Sequence, residues 1–337
     1  MGRGFLLLAM LTFSGWALAT DATQLNLITY NVENLFDWTH DEGKKDFTYL
    51  PLSVKRQSRE VQEFCASEPT QYQQECLELD WSEATVKVKL RQLAIVLRES
   101  FQSGVDVAVL QEVENLNVLT MLAAELGPEY KAYLVEGPDE RGIDVGMITR
   151  LKVVHQELRE FTIPSGRRTR GILRLDVMKN NKRITVLANH WPSQSNPDED
   201  RMAAADTLVS MAEHTFVSDL VIAAGDFNTA DDDVHNGIKE RLLPIFFDAE
   251  GEARAAGNNL WAGTYNFRGV WGSLDHIFIL KAAARSTMNW SSVRIRHEDL
   301  LETRMWNGVP EQHPRRFDVG SGLGFSDHLP LSMSIAL

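Results

Sequence analysis

The sequence predicts an α/β protein. Short apolar runs recur along the chain and each breaks into polar residues, as strands entering loops do. One longer stretch, ATVKVKLRQLAIVLRESF at 84–101, spaces Val88, Leu90, Leu93, Ile95, Val96 and Leu97 as a helix does. No fixed-period repeat and no Gly/Ser-rich or Pro-rich linker divides the 337 residues, a length that suits one large domain.

The N-terminus, MGRGFLLLAMLTFSGWALAT, has one basic residue (Arg3), an apolar stretch from Phe5, and Ala17-Leu18-Ala19. This is the anatomy of a secretory signal peptide at 1–19, cleaved after Ala19, which places the remaining domain, 20–337, in the periplasm or outside the cell. The competing reading is a transmembrane anchor, but the apolar core is short and broken by Ser14 and Gly15. No Cys follows the cleavage site to carry a lipid, and no later segment is long and apolar enough to span a bilayer.

LNLITYNVENLF (25–36) alternates as a strand. Residues 37–82 are charged and Gln-rich, with Pro51 and Pro69, and read as a partly helical insertion. They contain both cysteines, Cys65 and Cys76, which in an exported protein read as one disulfide; two free thiols are the alternative. After the 84–101 helix come VDVAVLQEVEN, VGMIT (145–149), RITVLANHWPS (183–193), LVIAAGDFN, GSLDHIFIL (272–280) and GFSDHLPLSMSI (324–335). Each is a strand with polar residues at one end.

Charge narrows the function. Losing Arg3 with the leader leaves 33 basic against 47 acidic residues, a net charge of −14. Such a chain has no global attraction for polyanions, so phosphate contacts must come from a local cluster or a metal. The clearest cluster is Gly-Arg-Arg-Thr-Arg (166–170), followed by Arg174. The strand ends deliver Asn31, Glu112, His190, Asp226, Asn228, Asp275, Asp327 and His328, and neighbouring strand ends share a cleft. Buried carboxylates are costly alone, but several of them become tolerable around a hard divalent cation. Asp226 and Asn228, two apart on an extended backbone, should point the same way. Asp226-Phe227-Asn228 could also be a plain turn. A calcium loop fails at Ala230 and Asp231, and no G-x-S-x-G, P-loop or dinucleotide fingerprint occurs.

In this order, NVENLF, LQEVEN, NHWPS, GDFN, SLDHIF and SDHLP resemble the motifs of the endonuclease/exonuclease/phosphatase superfamily, from about residue 25 to the C-terminus. The resemblance implies a four-layer α/β sandwich of two mixed sheets packed face to face with helices outside, as in DNase I. It implies that Glu112 is the main metal carboxylate, with Asn31 beside it and Asp327 completing that site or a second one. Asp226 would activate water, Asn228 would hold water or phosphate, and His328, oriented by Asp275, would bind the phosphoryl oxygen or move a proton. His190 would be the second phosphate-side histidine. Mg²⁺ is the expected ion, with Mn²⁺ or Ca²⁺ able to serve. Arg141, Asp144, Arg170 and Ser193 are the substrate-side candidates. His276 lies inside a strand run and reads as structural; His155, His214, His235, His297 and His313 read as surface residues.

The expected activity is metal-dependent phosphodiester hydrolysis by a monomer with no obligate protein partner, most simply a secreted nuclease or nucleotide phosphodiesterase acting on DNA or RNA. The alternatives are a phosphatase or phospholipase C-like enzyme on a lipid, sugar or inositol phosphate, and an inactive binding module.

Overall fold

The computed structural model describes residues 23–215, 217–284 and 288–337. The expected signal peptide lies outside them. The chain opens with β1 (Gln24–Leu35), three short helices α1 (Leu52–Gln57), α2 (Arg59–Ser67) and α3 (Thr70–Glu78), and the long α4 (Glu83–Glu99). Then come β2 (Val107–Val113), α5 (Leu116–Leu126), β3 (Lys131–Leu134), β4 (Asp144–Thr149), β5 (Lys152–Arg159), β6 (Ile172–Lys179), β7 (Lys182–His190), α6 (Asp198–Glu213) and β8 (Leu220–Asp226). The last part holds β9 (Phe246–Asp248), α7 (Ala249–Ala255), the hairpin β10 (Tyr265–Phe267) and β11 (Val270–Gly272), and β12 (Asp275–Leu280). It ends with β13 (Arg294–Ile295), the hairpin β14 (Leu301–Trp306) and β15 (Val309–Pro314), and β16 (Leu331–Ala336).

Two six-stranded mixed sheets, ordered β13-β16-β1-β2-β4-β3 and β5-β6-β7-β8-β12-β9, pack face to face. Helices α4 and α5 cover the first sheet, and α6 and α7 lie against the second. Both faces of the centre of the second sheet are covered, so β8 and β12 are almost wholly apolar between their ends, whereas the edge strand β5 alternates half-buried and exposed residues. The pleat still sorts them. Ile184, Val186 and Ala188, with Leu220, Ile222 and Ala224, and Ile277 and Ile279, join the central core. The intervening Leu187, Val221, Ala223 and Phe278 join a second core with Ala204, Ala205 and Leu208 of α6.

That parity decides what each strand end presents. His190, Asp226 and Asp275 continue the inward rows. His276 belongs to the outward row, where it stacks on Phe278, at 5.2 Å between ring centroids. The 37–82 segment is helical as expected, and a disulfide from Cys65 to Cys76 joins α2 to α3. Within α4 the buried stripe includes Lys89, while Ile95 is exposed. The Lys89 ammonium donates to the Glu33 carbonyl at 2.5 Å and lies near the Trp81 and Phe317 rings, so this lysine works as a core residue. His313 is buried, not at the surface, because it packs inside the β14–β15 hairpin region beside Glu311.

Candidate active site

Three neighbouring strands of the second sheet bring their last inward residues side by side. His190 of β7 pairs in register with Asp226 of β8, and Asp226 pairs with Asp275 of β12. Gly225 makes this possible: at φ +150°, a Cβ there would lie 1.9 Å from the Asn189 carbonyl oxygen. A side chain would push β7 off β8, which explains the glycine in GDFN. Asn228 does not continue an extended backbone. Its φ is +47°, and its N–H donates to Asp226 Oδ1 at 2.9 Å, closing a turn that places its amide on the Trp191 carbonyl at 3.1 Å. Through Nδ2 the side chain of Asn228 therefore braces the β7–β8 ends beside Asp226.

The first sheet contributes from across the core. Asn31 of β1 donates through Nδ2 to Asp226 Oδ2 at 3.1 Å and to Glu112 Oε1 at 3.3 Å. Glu112 sits at a bulge of β2 with φ +62°, which turns its carboxylate towards β1, where the Asn34 N–H donates to Oε2 at 2.9 Å. The SDH segment is tied to the same strand: Ser326 Oγ donates to the Asn31 carbonyl at 2.6 Å and accepts the His328 N–H at 3.2 Å. His328 Nδ1 then meets Asp275 Oδ2 at 2.7 Å, and its Nε2 lies 4.0 Å from Asp226. His190 Nε2 lies 3.8 Å from Asp226 on the other side and accepts from Arg170 Nη2 at 3.0 Å.

The pKa values of the two histidines are pushed in opposite directions. Burial works against the charged form of His328, but the Asp275 carboxylate and its hydrogen bond outweigh burial and hold the pKa well above the ordinary value. His190 is pushed well below it by burial and by the nearby cations of Arg170, Arg141 and His328. A neutral His190 is the acceptor that the Arg170 contact requires. Burial raises the pKa of Asp226, the cation of His328 lowers it in part, and the charge of Asp275 raises it. Asp226 is thus a carboxylate able to take a proton near neutral pH, flanked by His190 on one side and His328 on the other.

Asp226, Asp275 and His328 also bring potential ligand atoms within 4.8 Å of one another. This buried trio could hold a metal ion with His328 neutral, or serve in proton transfer with His328 charged, since an imidazolium has no lone pair to offer a metal. Glu112 and Asp226, bridged by one amide, form the oxygen-rich set that a hard divalent cation prefers. The field of Asp327 acts on His328 and Tyr265 of the site as well as on Glu33, Tyr30 and Arg316.

The substrate-side candidates separate. Arg170 is buried against His190, and its Nη1 lies 3.7 Å from Asp139. Arg141 is exposed and pairs with the same carboxylate at 3.7 Å. Asp144 is buried and both of its oxygens accept the Gly137 N–H, so it fixes the 137–144 turn; burial pushes its pKa up to about 7. Ser193 hydrogen-bonds with Ser195 and Asn196 at the rim. Sequence reasoning missed Asp139, which sits in the unremarkable turn GPDERG, and Tyr265, which forms a β-bridge to His328 with its ring 4.8 Å away. Neither carries a local signal. It also passed over Arg316, whose ion pair with buried Glu33 closes the far end of the cleft.

A sequence model described as the Endonuclease/Exonuclease/phosphatase family matches residues 66–337. The chain belongs to that family. Its fold is that of the family's solved structures. A Danio rerio TDP2 complexed with a single-strand DNA product aligns with a TM-score of 0.56 at 15% identity, over 93% of this chain and 99% of that one. An endonuclease/exonuclease/phosphatase from Bacteroides vulgatus aligns at 0.54 and 14% identity, over 94% and 99%. A mannosyl-6-phosphatase of Bacteroides thetaiotaomicron aligns at 0.55 and 12%, over 93% and 100%. No curated protein matches the chain. As a member of this family the chain is a phosphoesterase, a hydrolase of phosphate esters. Among the described residues no helix is long and apolar enough to cross a membrane.

Proposed function

We propose that the chain is an exported, divalent-metal-dependent hydrolase of phosphodiesters in which Asp226 activates the attacking water. The observation that carries this is the position of Asp226, held by Asn31 at 3.1 Å between neutral His190 and charged His328. Glu112 and Asn31 would hold the metal, Mg²⁺ foremost, and the ion would neutralise charge on the phosphoryl oxygens. Asp226 accepts the proton of the water. His328, fixed by Asp275, presents an N–H to the phosphoryl oxygen or to the departing oxygen, and Arg170 adds a second cation beside His190. The Cys65–Cys76 disulfide supports an oxidising compartment.

A nuclease or nucleotide phosphodiesterase is the first reading of the substrate, supported by the arginines of 166–170. A second reading, a small sugar or polyol phosphate, is favoured by the cavity beside Arg170. Its volume is ≈ 590 Å³ and no aromatic side chain lines it, so it offers a base no stacking platform. The test is hydrolysis of plasmid DNA, bis-p-nitrophenyl phosphate and p-nitrophenyl phosphate with Mg²⁺ and with EDTA. Mg²⁺-dependent cleavage of either ester, lost in His328→Ala, is expected; metal-independent cleavage, or full activity in His328→Ala, would remove the mechanism. Plasmid nicking would favour the first reading, and untouched DNA the second.

A further inference from the structure

We propose that the cavity beside His190 receives a second anionic group, a phosphate carried by the same small substrate whose ester is cleaved at Asp226. This deepens the small-substrate reading and rests on it. Four arginines, Arg141, Arg167, Arg168 and Arg170, stand in its wall with Ser193 and Asn196. Its carboxylates do not balance them. Glu140 is bound by Lys45 at 2.5 Å outside the cluster, and Asp139 is shared between Arg141 and Arg170 at 3.7 Å each. Arg167 reaches only the neutral Asn196 Oδ1, at 2.9 Å, and Arg168 makes no hydrogen bond or ion pair among the described residues. In a chain of formal net charge −13, a pocket with surplus guanidinium is a specific feature, not a general surface property.

Two buried polar atoms in the same wall lack any partner: Arg170 Nε and Thr169 Oγ1. Both residues are more than nine-tenths buried, at 8% and 5% exposure. Unpartnered buried donors of this kind are rare in folded proteins, and both belong to residues that line this cavity. Arg170 joins the cavity to the reaction centre, since one guanidinium touches both His190 and Asp139. A substrate spanning that guanidinium would place its ester at Asp226 and a second anion among Arg167, Arg168 and Thr169. Guanidinium forks match phosphate oxygens in pairs. The hydroxyls of Ser193 and Ser195 and the Asn196 amide suit a polyol between the two anions. A single strand fits less well, because the cavity offers its bases no aromatic face on which to stack.

The experiment measures competitive inhibition of bis-p-nitrophenyl phosphate hydrolysis at fixed free Mg²⁺. The competitors are fructose 6-phosphate, fructose 1,6-bisphosphate and a single-stranded oligonucleotide. The bisphosphate should inhibit at least about tenfold more tightly than the monophosphate. In Arg167→Ala/Arg168→Ala, on an exposed loop, that ratio should fall towards one. Arg304→Ala, on the β14–β15 hairpin, should leave it unchanged. Equal inhibition by the two sugars, or a ratio unmoved by the double substitution, overturns the inference while leaving phosphoester hydrolysis standing. An oligonucleotide that outcompetes the bisphosphate overturns it in favour of a nucleic-acid strand. Absence of any ester hydrolysis would instead remove the proposed function, and the inference with it.

Discussion

Asp275→Asn tests the electrostatic core of the site without changing its shape. Asp275 Oδ2 lies 2.7 Å from His328 Nδ1, and both side chains are buried, at 0% and 6% exposure. That length is in the charge-assisted range. Removing one partner of a buried charged pair costs about 3–5 kcal/mol, because the remaining charge is left uncompensated. If that loss falls on the transition state, kcat drops about 10²–10⁴-fold. The loss must also depend on pH. Asp275 holds the His328 pKa above its ordinary value, so wild-type His328 keeps its proton well into alkaline conditions. Without that carboxylate the pKa falls and the proton leaves at lower pH, so the alkaline limb of the kcat profile moves towards acid. The assay is kcat against pH for bis-p-nitrophenyl phosphate in both proteins, with circular dichroism confirming the fold. A loss of the same factor at every pH, or an unmoved alkaline limb, would refute the reasoning.

Other consequences are equally measurable. Glu112→Gln should raise the Mg²⁺ concentration for half-maximal activity by on the order of tenfold or more, and an unchanged requirement would place the ion elsewhere. His276 faces Asp248 at 3.5 Å; burial lowers its pKa, but Asp248 raises it further, to about 9. Because the folded value exceeds the ordinary 6.5, its stabilisation is full below about pH 6.5 and is lost as pH rises through about 9, with an upper bound of about 3 kcal/mol. Urea unfolding should therefore show a decline across that window that His276→Phe flattens; equal slopes would contradict it. Cys65→Ser should lower stability by at most about 3 kcal/mol, as expected for the 11-residue separation it closes, and reductant should bring wild type to the same midpoint.

Much of this site could be read from the chain because its groups end apolar runs. His190 and Asp226 each close a strand and Asp275 opens one, and an apolar run bounded by a carboxylate or imidazole is visible without coordinates. Other features depend on backbone geometry that no run of letters displays. Glu112 is aimed by a bulge, and Asn228 by a left-handed turn, so the same residue types on regular strands would face elsewhere. Lys89 misled the helix pattern because lysine reads as solvent-facing, whereas a carbonyl and two aromatic rings hold it inside. Helix α6 passed unnoticed because its buried stripe is mostly Ala with only Leu208 and Met211, includes the charged Asp200 and Arg201, and follows a first turn filled by Asp and Glu. Asp139, Tyr265 and Arg316 reach the site from turns and hairpins distant in sequence, and only the packing of the two sheets brings them together.

Gly225 also bears on how such an enzyme changes over time. The groups assigned to the proposed reaction stand on strand ends locked in register by a position that tolerates no side chain, whereas Arg167 and Arg168 stand exposed on a loop. Substitution is costly at the first and cheap at the second. Under the proposed function, chemistry and choice of substrate are written on separate parts of the chain, so that a lineage, or a laboratory, can rewrite the loop while inheriting the reaction intact.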